Sequence, residues 1–157
     1  MKIIVQNKSS ESSPIIIDIC EHKRSNENDK PLSIPEMAQQ IVNELVKVLP
    51  QKWEKVRLYS QITKSSYEYF FYVYVNGKYI QCYSDEMKSK YKINDYDLQK
   101  VFDKLYEIML PDQLDKKWYV ATLLLDKSGK VSIEYEYKNY KESILEYKKI
   151  WKDKYLK

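Results

Sequence analysis

The sequence predicts an α+β fold with two layers, in which helices cover one face of an antiparallel sheet of about five strands. Two hairpin turns and three separate helical stripes point to it. The chain has only two glycines, and both fall in turn contexts, Asn76-Gly77 and Ser128-Gly129. Each turn lies between segments rich in β-branched and aromatic residues, which is typical of antiparallel hairpins. The predicted order of elements is α-β-β-β-α-β-β-α, in which neighbouring strands pair directly.

The first helix is predicted to begin after Ser33, because the run Ser33-Ile34-Pro35-Glu36 has the spacing of a capping box. Apolar residues then recur at helical intervals until Pro50, which ends the helix. Three antiparallel strands follow, one in the run that opens at Trp53 and two in the hairpin of residues 67–83. Both faces of that hairpin carry large side chains, so we expect both faces to be covered, one of them either by this chain or by a partner.

The second helix is predicted between Asn94, a favourable N-cap residue, and Pro111, which closes it. Its apolar face comprises Leu98, Val101, Phe102, Leu105, Tyr106 and Met109. The last helix is predicted over residues 140–155, where apolar residues again lie along one side.

The second hairpin covers residues 118–137, and its last strand alternates strictly along its length. Odd positions of that strand are expected to face the core. Ser132, Glu134 and Glu136 are expected to face outward, on the side opposite the core.

The composition of the chain shifts near residue 31. Residues 1–33 form an N-terminal extension with two short β-prone runs, residues 2–6 and 15–20, next to polar stretches. These runs either pair as a hairpin at an edge of the main sheet or stay loosely ordered. Residues 34–157 are predicted to form a single domain.

The net charge of +4 is concentrated at one end, because residues 138–157 hold 7 basic and 3 acidic side chains. Only Arg24 and Arg57 are arginines, and arginine is the side chain that best matches phosphates and base edges. A nucleic-acid groove is therefore disfavoured. No run of about 18 consecutive apolar residues is present, so we predict no membrane span and expect a cytoplasmic protein.

The usual equipment of an enzyme is nearly absent from the sequence. His22 is the only histidine, and two glycines cannot build a phosphate-binding loop. Glu134 and Glu136 come nearest to a catalytic acid–base pair, but no partner group accompanies them. Cys20, Glu21 and His22 lack a second cluster of metal ligands. The sequence thus predicts a binding protein without catalytic residues, metal or cofactor.

Several stretches resemble the YezG-like immunity proteins, antitoxins that neutralise secreted bacterial nuclease toxins. The resemblance runs from about residue 37 to residue 157 and rests on the order and spacing of its motifs. The motifs are Trp53-Glu54-Lys55-Val56, the tyrosine-rich hairpin through Tyr83, the segment Tyr91-Lys92-Ile93-Asn94-Asp95, and a C-terminal block of Trp118, Leu123–Asp126, Gly129-Lys130, Ile133, Tyr135–Tyr137, Ile150-Trp151-Lys152 and Lys154-Tyr155-Leu156.

The resemblance implies an α+β fold of the order given above, no enzymatic activity, and a cognate toxin as the partner. That toxin would be the C-terminal domain of a larger secreted bacterial protein used in contact-dependent competition, and a nuclease is the expected activity. Inhibition would occur through a protein–protein interface. The oligomeric state is left open.

The candidate partner-binding residues are mainly acidic, because an inhibitor of a basic nuclease cleft usually presents clustered carboxylates. Glu134 and Glu136 come first, since a rigid strand presents both on one side and lowers the ordering cost of binding. Tyr137 beside them can bury its ring and keep its hydroxyl wet. The other candidates are Asp85, Glu86 and Asp95.

Two further functions stay open at this stage. The lysines of residues 138–157, with exposed tyrosines as stacking platforms, would suit a nucleic-acid-associated module. A toxin-secretion chaperone or adaptor would bind its client without inhibiting it. Affinity for nucleic acid tests the first, and an assay of the client's activity tests the second.

Overall fold

The chain folds into one β-sheet with helices on both of its faces. The computed structural model describes residues 2–7, 15–18 and 31–157. The strands are β1 (Lys2–Asn7), β2 (Ile15–Asp18), β3 (Lys55–Ile62), β4 (Tyr67–Val75), β5 (Lys78–Gln81), β6 (Val120–Asp126) and β7 (Lys130–Glu136). The helices are α1 (Ile34–Leu45), α2 (Asp85–Ser89), α3 (Asp95–Lys116) and α4 (Ile144–Tyr155). Within the described residues the strand order is β2-β1-β7-β6-β3-β4-β5.

Among the five strands from β3 to β7, every pairing is antiparallel. The predicted α+β class with a five-stranded antiparallel sheet is therefore confirmed. The predicted order of elements missed α2, a helix of five residues that Ser84 caps. In the extension, β1 pairs antiparallel with β2 and parallel with β7.

The capping box and the hairpin turn that the sequence predicts are both present in the structure. The Oγ atom of Ser33 accepts a hydrogen bond from the Glu36 N–H, and the Glu36 carboxylate accepts one from the Ser33 N–H, both at 3.3 Å. This capping box starts α1 as predicted. Asn76 and Gly77 have φ angles of 54° and 82°, and a two-residue turn of this kind needs two positive φ values.

The prediction that Pro111 closes the second helix is wrong, because α3 continues through it. Proline removes one helical hydrogen bond, but the contacts of the next residue hold the final turn in place. Asp112 is buried, and its Oδ2 atom accepts hydrogen bonds of 3.0 Å from the Trp118 indole and the Tyr135 hydroxyl. Tertiary packing therefore outweighs the local preference of proline.

The helices cover both faces of the sheet, so the prediction of helices on one face is wrong for α4. On one face, Phe102 of α3 packs against Phe71 of β4 with ring centroids 6.2 Å apart, and α1 packs against α3. On the other face, Trp151 of α4 contacts Tyr59 and Phe70 at 5.6 and 5.5 Å. Neighbouring positions in a strand project to opposite faces. Where α4 lies over the sheet, the fold therefore has three layers. β3 and β4 carry large apolar side chains on both faces, and helices bury them on both sides.

Candidate functional site

The C-terminal end of β7 lies beside α4, and this is where the first two candidate residues are found. Glu134 lies opposite Thr122 of β6 in the strand register. Directly opposite residues project to the same face. The Trp151 indole of α4 donates a hydrogen bond of 2.8 Å to Thr122 Oγ1. Glu134 and Glu136 therefore project to the face that carries α4.

The sequence predicted that Glu134 lies on an open face. In the structure α4 lies over it. The Tyr155 hydroxyl donates a hydrogen bond of 2.7 Å to Glu134 Oε1, and Lys154 Nζ lies 3.6 Å from the same oxygen. Only 21% of the Glu134 side chain is exposed. Glu136 lies two residues further along and is half-buried, and its Oε2 atom accepts the Lys138 N–H at 3.0 Å.

A crevice of about 150 Å³ lies between the end of β7 and α4. The two glutamates line it together with Tyr140 and Tyr147, whose rings stack with centroids 4.2 Å apart. Ile150 also lines the crevice and is 56% exposed, and Tyr137, which follows β7, is 54% exposed. A cavity of roughly this volume holds a benzene-sized group, whereas pockets for drug-sized ligands start at about 300 Å³. The crevice therefore fits one side chain of a partner.

Two carboxylates, those of Glu134 and Glu136, and the ammonium of Lys154 line the crevice. Burial is the largest cause that raises the pKa of Tyr147, and the charge of Glu136 raises it further. Burial likewise raises the pKa of Tyr155, followed by the hydrogen bond to Glu134. Both phenols therefore stay protonated well above neutral pH. Because Lys154 already lies beside Glu134, the carboxylate of Glu136 is the one best placed to attract a cationic group.

The other three candidates lie at the opposite edge of the strands β3 to β7, near β5; they are Asp85, Glu86 and Asp95. Asp85 and Glu86 are in the first turn of α2, and Glu86 forms ion pairs with Lys78 at 3.0 Å and Lys90 at 3.9 Å. Asp95 begins α3 and lies 3.4 Å from the Lys88 ammonium. β5 and β7 are four strand spacings apart, roughly 19 Å. The structure thus divides the six candidates into two separate groups.

Among the residues described, no cluster of three or more His, Cys, Asp or Glu side chains could hold a metal ion. The earlier candidates Cys20, Glu21 and His22 lie outside the described residues. Cys82 is buried, and burial raises the pKa of its thiol to about 12.

Sequence reasoning missed the far wall of the crevice. Tyr140 and Tyr147 are seven residues apart, and Tyr147 and Ile150 are three apart. The second spacing places Tyr147 and Ile150 on one side of α4, whereas Tyr140 precedes the helix by four residues. The sequence contains this helical spacing, but it does not show that Tyr147 and Ile150 face Glu134 and Glu136.

Comparison with known proteins identifies the family of this chain. Residues 34–157 match the family model of the YezG-like immunity proteins. The chain is also 32% identical over 114 residues to Immunity protein YezG of Bacillus spizizenii (strain ATCC 23059 / NRRL B-14472 / W23), covering 66% of this chain and 68% of that protein. The chain belongs to the YezG-like immunity protein family, and the resemblance predicted from its motifs is confirmed.

Membership of this family gives the chain an immunity, or antitoxin, role and implies a toxin as its partner. Across the part of the chain that the structure describes, no helix is both long and apolar enough to traverse a bilayer.

Proposed function

We propose that this chain binds the C-terminal domain of a cognate secreted toxin, that this domain is a nuclease, and that binding in the cytoplasm neutralises it. The chain inhibits by contact and catalyses no reaction. Its family supports a toxin as the partner. The crevice between β7 and α4 is the observation that carries the mode of binding.

The crevice has the chemistry to receive a lysine or arginine side chain from the toxin. A long basic side chain packs its aliphatic stem on apolar surface and keeps its charge near polar groups. Tyr140 and Ile150 offer that surface, and Glu136 offers the charge. Glu134 already lies beside Lys154, whereas Glu136 binds one backbone N–H, so Glu136 is the principal acceptor.

A nuclease depends on basic side chains that bind phosphates. If the crevice occupies one of these side chains, the affinity of the nuclease for nucleic acid falls. Tyr137 is 54% exposed and packs beside Tyr135, which contacts Asp112 of α3 on the other face, so it stays a predicted contact outside the crevice. Asp85, Glu86 and Asp95 remain predicted contacts at the far edge. Their ion pairs with lysines of this chain make Glu86 and Asp95 secondary to Glu136.

The test uses the toxin domain encoded by the neighbouring reading frame. We expect it to co-purify with this chain and to lose nuclease activity when one equivalent of the chain is added. A toxin that stays fully active in excess of this chain would exclude the proposal. An active client that still binds would indicate a secretion chaperone instead.

Charge reversal at Glu136 tests the crevice. Glu136→Lys should weaken toxin binding at least about tenfold, because it places a like charge opposite the inserted cation. Glu107→Lys is the matched control, since Glu107 is 68% exposed on α3, across the sheet from the crevice. Equal binding by both variants would remove the crevice from the interface. Turnover of a substrate that disappears when Glu134 or Glu136 is replaced would show an enzyme.

A further inference from the structure

A second part of the sheet face that carries α4 has the opposite charge. We call it the open tyrosine face, and it consists of Lys55, Arg57, Tyr72, Tyr74, Tyr79 and Leu124. The strand register places these residues side by side on β5, β4, β3 and β6. All six are half-buried, whereas Tyr59 and Phe70, nearer Trp151, are buried under α4.

The cations of this face lack ion pairs among the described residues. The ammonium of Lys55 lies 5.4 Å from the Tyr74 ring, and that of Lys152 on α4 lies 6.0 Å from the Tyr72 ring. The carboxylate at the end of the same rows is Asp126, whose Oδ1 atom accepts hydrogen bonds from Ser128 and Lys130 in the β6–β7 turn. Three cations, Lys55, Arg57 and Lys152, accompany this one carboxylate, so the face carries a net positive charge.

Arg57 is held in a fixed orientation at the centre of this face. Its Nε atom donates a hydrogen bond of 3.2 Å to the Tyr155 carbonyl, and one terminal nitrogen donates 3.3 Å to the Val56 carbonyl. A guanidinium has five N–H donors, so three are left for a ligand. A planar fork that is already oriented matches a carboxylate in a bidentate arrangement and loses little entropy on binding.

The aromatic rings of this face favour a protein over nucleic acid. Bases stack on free ring faces, but lysine ammonium groups lie over Tyr72 and Tyr74. Tyr74 and Tyr79 also pack edge to face, with ring centroids 5.0 Å apart. Tyrosine and arginine are among the residue types enriched in protein–protein hot spots.

We infer that the open tyrosine face binds an acidic segment of the toxin domain, with Arg57 pairing a carboxylate and Lys55 and Lys152 flanking it. This inference rests on the proposed function. The face and the crevice lie on the same side of the sheet at different edges of α4. One partner can therefore place a basic side chain in the crevice and an acidic segment here, and the two opposite charges fix its orientation.

Two lysines of α4 make a matched test, with the toxin domain of the neighbouring reading frame as the probe. Lys152 lies beside Tyr72, whereas Lys149, also exposed, makes no contact with this face. Lys152→Glu should weaken toxin binding about tenfold or more, and Lys149→Glu should not. The weakening should diminish as salt is raised, because salt screens exposed charges.

Arg57→Gln is the second variant, and its thermal unfolding curve shows whether α4 stays attached without the Tyr155 contact. Lys55→Glu avoids that contact altogether and should also weaken binding. If the unchanged chain binds and inhibits the toxin but Lys152→Glu and Lys55→Glu bind it equally well, the inference fails while the proposed function stands. If the unchanged chain does not bind the toxin, both fail. Retention of a single-stranded oligonucleotide that depends on Arg57 would overturn the inference in favour of nucleic acid.

Discussion

Trp151 is the side chain that attaches α4 to the sheet. It is 1% exposed, its indole donates to Thr122 Oγ1, and its ring contacts Tyr59, Phe70 and Tyr72. Both proposed binding surfaces border α4. The position of this one residue therefore affects the crevice and the open tyrosine face together.

Trp151→Ala should lower the free energy of unfolding by about 3–5 kcal/mol, because it leaves a large cavity and an unpaired hydroxyl. Urea denaturation followed by tryptophan fluorescence and circular dichroism measures this loss. Ile150→Ala is the control, since Ile150 is 56% exposed and its truncation should change stability by less than about 0.5 kcal/mol. Similar losses for the two variants would show that α4 does not depend on Trp151.

Asp112 has a comparable role on the other face, at the end of α3. Its buried carboxylate accepts hydrogen bonds from Trp118 and Tyr135 and lies 2.8 Å from the Lys116 ammonium. Asp112→Ala should destabilise the fold by about 3 kcal/mol, because two buried donors and one cation lose their partner. Asp115→Ala, an exposed position in the same helix, should have almost no effect in the same denaturation experiment.

At the scale of elements, α3 ends in a conformation that its own residue disfavours. Lys117 caps the helix with a φ angle of 59°. A left-handed conformation costs most residues roughly 1 kcal/mol, and glycine adopts it freely. The sequence has no glycine at this helix end, so the contacts of Asp112 and Trp118 hold the turn instead.

Lys117→Gly should therefore raise the free energy of unfolding by up to about 1 kcal/mol. The matched control is Lys104→Gly in the exposed middle of the same helix, which should lower it by about 1 kcal/mol. Thermal denaturation of both variants gives the comparison. A loss of stability in Lys117→Gly would mean that the lysine side chain contributes more than the backbone strain removes.

At the scale of the whole molecule, the core contains many protonated phenols. Burial raises the pKa of Tyr59, Tyr69 and Tyr135 well above the usual value for tyrosine. Outside the core, partial burial raises that of the 40% exposed Tyr83 to about 12. The folded state thus keeps protons that the unfolded chain releases near pH 10. Stability from these groups is fully present below about pH 10 and is lost as the pH rises through the folded-state values.

We therefore expect cooperative alkaline unfolding between about pH 10 and pH 12. Loss of the circular dichroism signal should coincide with the rise of tyrosinate absorbance, because buried phenols ionise only on unfolding. Tyr69→Phe should move the transition to higher pH, while Tyr137→Phe, an exposed position, should leave it in place. Gradual ionisation without loss of structure would contradict this account.

The domain boundary also belongs to this scale. The cluster of buried apolar residues runs from Met37 to Trp151, and the family model matches residues 34–157. A chain of residues 31–157, which retains the Ser33 cap, should fold cooperatively but less stably, because the β7 edge loses its pairing with β1. Calorimetry of the full and shortened chains tests this, and a non-cooperative shortened chain would show that the extension is part of the domain.

Sequence and structure agree wherever neighbouring residues decide the conformation. The Ser33 capping box, the Asn76-Gly77 turn and the strand alternation depend on groups a few residues apart, so local chemistry predicts them. The two glutamates of β7 do share one side, as their spacing requires. Pro111 was misjudged because its effect depends on Trp118 and Tyr135, which approach α3 only in the folded chain.

The amino-acid order by itself determined the class of fold, the turns and caps, and the motif pattern that marks the family. Only the tertiary structure decided that α4 crosses to the second face of the sheet, that it covers Glu134, and that it leaves Arg57 among half-buried tyrosines. Periodicity shows which residues share a side. It does not show which distant element will cover that side, because this depends on packing between segments far apart in the chain.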